Sequence, residues 1–238
     1  MKRMIIAAAP VFVMAVTASV PAQEINLATA KTTRPSIIQA RVGIDHGFVG
    51  EVGYRHLLVS NHPQVFVGGD IAFPWASPDI FDYRIRATVG VSFGKQRFKF
   101  AGWLSPTLRG NENAAATMTA LGVDLRLLGG YYAQRWFAAA EVGLDWVATT
   151  HITLSDAYRA SVYSGAKDGF YGMTGGSVYA GLQGGLSFSS VDVVLRAGHP
   201  RTTAFAGQSL PFYLLAGVNV TLPQWHSGRP SNNTAMRR

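Results

Sequence analysis

The sequence predicts an all-β protein, an antiparallel up-and-down transmembrane β-barrel of about ten strands. Three observations predict it. First, Phe81–Phe93 alternates without a break: Phe81, Tyr83, Ile85, Ala87, Val89, Val91 and Phe93 are apolar, and Asp82, Arg84, Arg86, Thr88, Gly90 and Ser92 are polar or small. Successive strand side chains point to opposite faces, so this is one long strand with an apolar and a charged surface. Its thirteen residues exceed the usual length of about five or six and are enough to cross a bilayer when tilted. Second, only 14% of residues are charged and glycine numbers 26. The first suits a protein whose outside faces lipid, and the second suits turns and tightly curved sheet rather than helix. Third, short and long connections alternate along the chain, as between strands that turn on one side of a membrane and loop out on the other.

Met1-Lys2-Arg3 is a basic start, Met4–Val16 an apolar run, and Val20-Pro21-Ala22 a set of small residues before a cleavage point. Residues 1–22 are therefore expected to be a signal peptide, too short in its apolar run to anchor the chain. Its removal takes Lys2 and Arg3 from a net charge of +8, leaving +6. Residues 23–35 form a polar leader without a pattern, the barrel occupies 36–222, and a Ser-, Asn- and Arg-rich tail at 223–238 has the composition of a disordered segment.

The strands follow in order. Ile38, Ala40, Val42 and Ile44 oppose Gln39, Arg41 and Gly43, up to the turn signal Asp45-His46-Gly47. Phe48–Leu58 carries Glu51, Gly53 and Arg55 on one face, and Asn61-His62-Pro63 ends it. Val65–Phe73 opposes Phe66, Gly68 and Asp70, and a proline-rich loop leads to Phe81–Phe93. Gly94-Lys95 turns the chain into Arg97–Leu104, with Arg97 and Lys99 on the polar face. Ser105–Ala116 reads as a loop. Leu121–Leu127 opposes Asp124 and Arg126, and Trp136–Trp146 opposes Glu141 and Asp145. Thr149–Gly176 reads as the longest irregular segment. Val178–Phe188, Val191–Arg196 and Phe212–Leu222 complete the set, with Tyr179, Gln183, Asp192 and Arg196 on polar faces.

The faces opposite the apolar ones collect Arg41, Glu51, Arg55, Asp70, Asp82, Arg84, Arg86, Arg97, Lys99, Asp124, Arg126, Glu141, Asp145, Asp192 and Arg196. Acids and bases nearly balance, as a lumen network of cross-paired charges requires. A soluble sandwich would show the same alternation with the polar face in water; the near absence of charge from the other face favours lipid outside.

The region 36–222 resembles the small bacterial outer-membrane β-barrel proteins of Gram-negative cells. Leu215, Gly217, Val220 and Leu222 fit the final-strand signal read by the barrel-assembly machinery, although such proteins normally end on an aromatic residue and this chain continues past it. The resemblance implies an outer-membrane location, contact with outer-membrane lipid and a porin-like or surface role in the cell envelope.

No cysteine is present, histidines and acids do not cluster at ligand spacing, and no phosphate-cradling loop stands between a strand and a helix. No cofactor or metal is expected, and without a basic stripe no nucleic-acid partner either. The expected function is a non-catalytic structural or ligand-binding role for a monomeric barrel, with a narrow pore as a variant of it. Its ligand surface would be the 149–176 loop, through His151, Asp156, Tyr158, Arg159, Tyr163, Lys167, Asp168 and Tyr171. The alternative is an enzyme acting on lipid A or on surface substrates through His151. Barrel lipid A deacylases carry a His-x-Ser signature, and His151-Ile152-Thr153 lacks its serine.

Overall fold

The computed structural model describes residues 25–30, 35–45, 48–59, 63–75, 82–161, 165, 167–202 and 211–223. The expected signal peptide, residues 224–238 of the tail, and Phe81, His46, His62 and Tyr163 lie outside the described residues. The chain forms β1 (Ser36–Ile44), β2 (Phe48–Val59), β3 (Gln64–Pro74), β4 (Tyr83–Phe93), β5 (Phe98–Glu112), β6 (Ala116–Tyr132), β7 (Trp136–Leu154), α1 (Asp156–Ser161), β8 (Gly169–Phe188), β9 (Val191–Thr202) and β10 (Tyr213–Leu222). Each strand pairs antiparallel with its neighbours in sequence, and β1 closes the ring against β10, Ser36 opposite Leu222. The sheet is a closed ten-stranded up-and-down barrel with no free edge.

The alternation has one physical outcome around the ring. Every Arg, Lys, Asp and Glu on a strand points into the barrel and is buried, apart from Glu112 and Arg201 at strand ends. The outside is a band of exposed Val, Leu, Ile and Phe, such as Val52, Leu104, Leu125, Leu144 and Leu182. Aromatic residues rim this band at both ends. Phe93, Phe98, Phe100, Trp136 and Phe188 lie toward the short turns, and Phe48, Phe73, Trp75, Trp146 and Phe212 toward the opposite end. Trp136 and Trp146 stand ten residues apart on β7; at the usual rise and barrel tilt their separation along the axis is about 25 Å.

Two segments expected to be irregular are strand. Ser105–Ala116 continues β5 to Glu112 and opens β6 at Ala116, leaving a three-residue turn at 113–115. Pro106 suggests a break, but its ring sits on the outer face and its missing N–H interrupts only the ladder to β4: pairing runs Arg86–Thr107, then resumes at Val89–Leu104. The side chains bridge that gap, with Thr88 Oγ1 and Ser105 Oγ 2.9 Å apart. Thr149–Gly176 is mostly a hairpin extension, with β7 running to Leu154 and β8 starting at Gly169. A register shift between Val147 and Thr149 breaks the alternation there, and a sheet standing clear of the apolar band has no buried outer face to impose one. The connection near 110 is therefore short rather than long.

Residues 25–30 of the leader lie inside the barrel. Ile25, Asn26 and Leu27 are buried, packed with Leu57, Phe66, Trp103, Leu128, Tyr132, Phe137 and Val194 into an apolar floor inside the end that carries the short turns. Burying Ile25 and Leu27 stabilises the seal by about 1.5–3 kcal/mol each. Asn26 fixes its position: Nδ2 donates to Ala133 O (2.9 Å) and Ser187 Oγ (2.8 Å), and Oδ1 accepts from the Ala28 amide (3.0 Å).

Candidate functional site: the lumen and the β7–β8 projection

Above the apolar floor the lumen holds a network in two parts. In the first, Glu51 accepts from Arg41 (2.6 Å), Arg84 (3.2 Å) and Arg86 (2.9 Å). Asp70 accepts from Arg55 (2.7 Å) and Arg86 (2.5 Å), so Arg86 joins the two carboxylates. Arg84 also reaches Asp45 (3.3 Å). The register makes these pairs: Arg41 stands opposite Glu51 across β1 and β2, and Asp70 opposite Arg86 across β3 and β4.

In the second part, Glu141 accepts from Arg196 Nε (2.6 Å) and from the Tyr213 hydroxyl (2.5 Å), with Arg126 at 3.9 Å. Asp124 accepts from the Tyr179 hydroxyl (2.8 Å) and lies 3.6 Å from Arg126. One guanidinium nitrogen of Arg109 reaches both oxygens of Asp145, at 2.5 and 2.7 Å. The Arg196 guanidinium stacks 4.8 Å from the Tyr213 ring centroid and 5.7 Å from that of Tyr179. Seven arginines face seven carboxylates among the buried residues, so the interior is nearly neutral although the chain is basic.

The sequence-expected lumen residues divide accordingly. Arg41, Glu51, Arg55, Asp70, Arg84, Arg86, Asp124, Arg126, Glu141, Asp145 and Arg196 form the network. Asp192 is buried lower, bonded to Ser187, Asn219 and the Asn26 amide, and holds the leader. Lys99 is buried beside the floor and meets no carboxylate among the described residues. Two expectations need correction. Asp82 sits at the opposite rim, accepting from Asn111 Nδ2 (3.0 Å) and the Glu112 amide (2.9 Å). Arg97 is not in the lumen: β5 starts one residue later, and the turn throws the Arg97 side chain outward, where it donates to the Tyr131 hydroxyl (2.5 Å). Sequence reading missed Asp45, taken only as a turn residue, and Arg109, taken as loop. The alternation of Thr107, Arg109 and Asn111 with Leu108 and Gly110 was the signal for the second.

On the projection, the eight-residue end of β7 beyond Trp146 pairs with the start of β8 and carries α1 at its tip. Ser155 caps α1: its Oγ accepts from the Tyr158 amide (3.2 Å) and donates to Ala114 O (2.8 Å). Asp168 Oδ1 accepts from the Leu154 amide (2.8 Å) and from Arg159 (2.6 Å), while Arg159 also meets Asp156 (3.2 Å). His151 packs on Phe170, with ring centroids 4.6 Å apart, and the Tyr171 hydroxyl donates to Lys167 O (2.8 Å). Among the described residues no hydrogen bond joins His151 to Ser155 or Asp168, and both of those side chains are engaged in folding the tip. Phe170 and Met173 are exposed beside them. Among the described residues there is no group of acids and histidines able to hold a metal, and no helix is long and apolar enough to cross a membrane.

The Leu154 amide and the Arg159 guanidinium hold the Asp168 carboxyl below the usual carboxylate range. A depressed carboxyl pKa stabilises the tip above about pH 4 and loses that contribution as pH falls through its folded value. Exchange protection of the Leu154 amide, corrected for intrinsic rate, is expected to persist from neutral pH to about 4 and to fall below it. Asp168→Ala, which removes the acceptor, should lose the protection at neutral pH, and protection unchanged by both would remove Asp168 from this role.

No family model matches this chain. No curated protein matches it. Among solved structures it is similar to the crystal structure of the beta domain of the Bordetella autotransporter BrkA, at 14% identity and a TM-score of 0.38, over 79% of this chain and 99% of that one. The topology of this barrel accordingly rests on its own strand pairing.

Proposed function

We propose that the protein is a closed, non-conducting outer-membrane barrel that presents the β7–α1–β8 projection to a ligand at the cell surface. The observation that carries this reading is the filled lumen: paired charges in its upper part and an apolar floor below, with Ile25 and Leu27 inserted into it. An ion moving through would have to displace the inserted Ile25 and Leu27 and shed water against the apolar floor, at a high desolvation cost. The apolar outside with its two aromatic rims supports a bilayer position, because an outward arginine or lysine at the bilayer midplane costs about 2–4 kcal/mol and none of the described residues places one there. Short turns on one side and the projection on the other favour the short-turn end as the periplasmic one. The outer-membrane lipid is then its solvent, the assembly machinery its route, and the monomer its unit, since the ring closes within one chain. On this reading it has no catalytic role: the side chains that would make His151 a base or nucleophile partner are occupied in the tip.

Fractionation and electrophoresis test the location, and planar bilayers test the closed lumen. The protein is expected in the outer-membrane fraction, running faster unboiled than boiled, and to give no conductance steps. Deleting the tip at 155–168 should leave the heat-dependent shift intact. Regular conductance steps from the intact protein would overturn the closed barrel, and a soluble periplasmic protein without the shift would overturn the membrane reading.

A further inference from the structure

The short-turn rim differs in charge from the rest of the barrel. Every buried lumen arginine has a carboxylate within 4.0 Å. Arg97, Lys99 and Arg135 have none among the described residues. These three line one cavity of about 680 Å³, together with Tyr132, Trp136 and Ala28 of the leader, a volume in the usual range of ligand sites. No acid lines it. Neither of the described turns that frame it, Gly94-Lys95-Gln96-Arg97 and Ala133-Gln134-Arg135, contains an Asp or Glu.

The cavity also sits where apolar surface gives way to water. Trp136 belongs to the outer aromatic rim and stacks on Tyr131, with ring centroids 5.1 Å apart. Tyr131 in turn meets Phe98 edge-on at 5.4 Å. Arg97 lies over the same Tyr131 ring, 5.8 Å from its centroid, so its cation is held at the edge of the apolar band. Lys99 approaches from the lumen side of the wall and Arg135 from the turn. Three positively charged residues thus line one cavity at the edge of a wall that acyl chains would cover.

We propose that this cavity binds the phosphate of an anionic phospholipid headgroup in the leaflet facing the periplasm, with the acyl chains lying on Phe98, Trp136 and their neighbours. The proposal rests on the membrane reading given above. Phosphate takes its charge-assisted hydrogen bonds from Arg97, Arg135 and Lys99, and the aromatic rim provides the apolar contact that a free anion would lack. Because Ala28 lines the same cavity, a bound headgroup also holds the leader in its seat.

The test is native mass spectrometry of the full chain folded in a zwitterionic detergent, offered phosphatidylglycerol, phosphatidylcholine or inorganic phosphate. One phosphatidylglycerol is expected to be retained per barrel, with phosphatidylcholine held at least about tenfold less tightly. In the triple variant Arg97→Gln, Lys99→Gln, Arg135→Gln the affinity for phosphatidylglycerol should fall on the order of a hundredfold, because each cation near a membrane surface contributes about a factor of five. Lys95→Gln, one residue from the cavity lining, should leave it unchanged. The heat-dependent gel shift is scored on every variant, so loss of binding is read only on folded barrels. Equal retention of the two lipids, or an unaltered triple variant, would overturn the proposal with the membrane barrel intact. Inorganic phosphate displacing the lipid at equal concentration would overturn the lipid as ligand. A chain that never shows the gel shift would fail the membrane reading instead.

Discussion

Asp70→Ala is expected to destabilise the barrel by about 3–5 kcal/mol. Asp70 is the carboxylate between Arg55 and Arg86, and neither Asp70 nor these two guanidiniums is exposed. Its removal leaves two buried cations with one carboxylate, Glu51, already shared among Arg41, Arg84 and Arg86. The cost comes from the orphaned charges rather than from the lost attraction, because a desolvated cation without a partner is worse than no ion pair at all. Urea unfolding from lipid vesicles, followed by the mobility shift on gels, measures it. Adding Arg55→Leu should recover part of the loss, since one of the stranded charges is then gone. A single variant within about 1 kcal/mol of wild type would show that water or another acid reaches Arg55 and Arg86, and would sink the description of this lumen as tightly paired.

Gly90→Val is expected to have the second large effect, a loss of about 1–3 kcal/mol, although valine is a better strand former than glycine. Gly90 faces inward on β4, and the Trp103 ring of β5 lies flat over it, so any Cβ at position 90 meets the indole directly. Trp103 cannot swing away easily, because Phe66 packs on its other side with ring centroids 5.6 Å apart. The same arrangement recurs where the Tyr179 ring covers Gly143, which makes close approach the reason for these glycines rather than chain flexibility. Trp103→Ala by itself removes a buried aromatic and should cost about 3–5 kcal/mol. In the Gly90→Val background it should cost much less, because valine then fills part of the space, and strict additivity of the two changes would refute the contact as the cause.

Much of the barrel was legible in the chain because its signal is local. A period of two in Ile38–Ile44 or Phe81–Phe93 states which residues share a face, and ten such runs state the number of strands. Segments failed where the strand ran beyond the apolar outer band, so that nothing enforced the alternation, or where a residue type misled. Thr149–Leu154 is strand because β6 pairs with all of it and β8 with Thr149–Ile152, while its threonines fall on both faces and blur the alternation. Pro106 lies in a strand because only one of its two ladders needs its N–H. The leader carries just Ile25 and Leu27 as apolar anchors, two residues apart, and nothing local tells that the floor of Phe66, Trp103, Tyr132 and Phe137 is there to receive them.

The site divides in the same way. That charges gather on one face was written in the residues themselves, and their burial followed once the ring closed with the apolar face outward. Which acid meets which base was not, since Arg86 reaching Glu51 and Asp70, or Arg109 crossing to Asp145, depends on register and on the curvature that brings strands of one wall within reach of another. The exit of Arg97 from the lumen was decided by a turn one residue longer than the alternation implied, and the gathering of Arg97, Lys99 and Arg135 around one cavity by the stacking of neighbouring turns at one end. By itself, then, the sequence determined the strands, their two faces and the sign of each face, because these depend only on neighbours along the chain. Tertiary structure alone decided the pairing of charges, the sealed floor and the rim cavity, because each joins residues that are far apart in the chain and meet only when the sheet closes on itself.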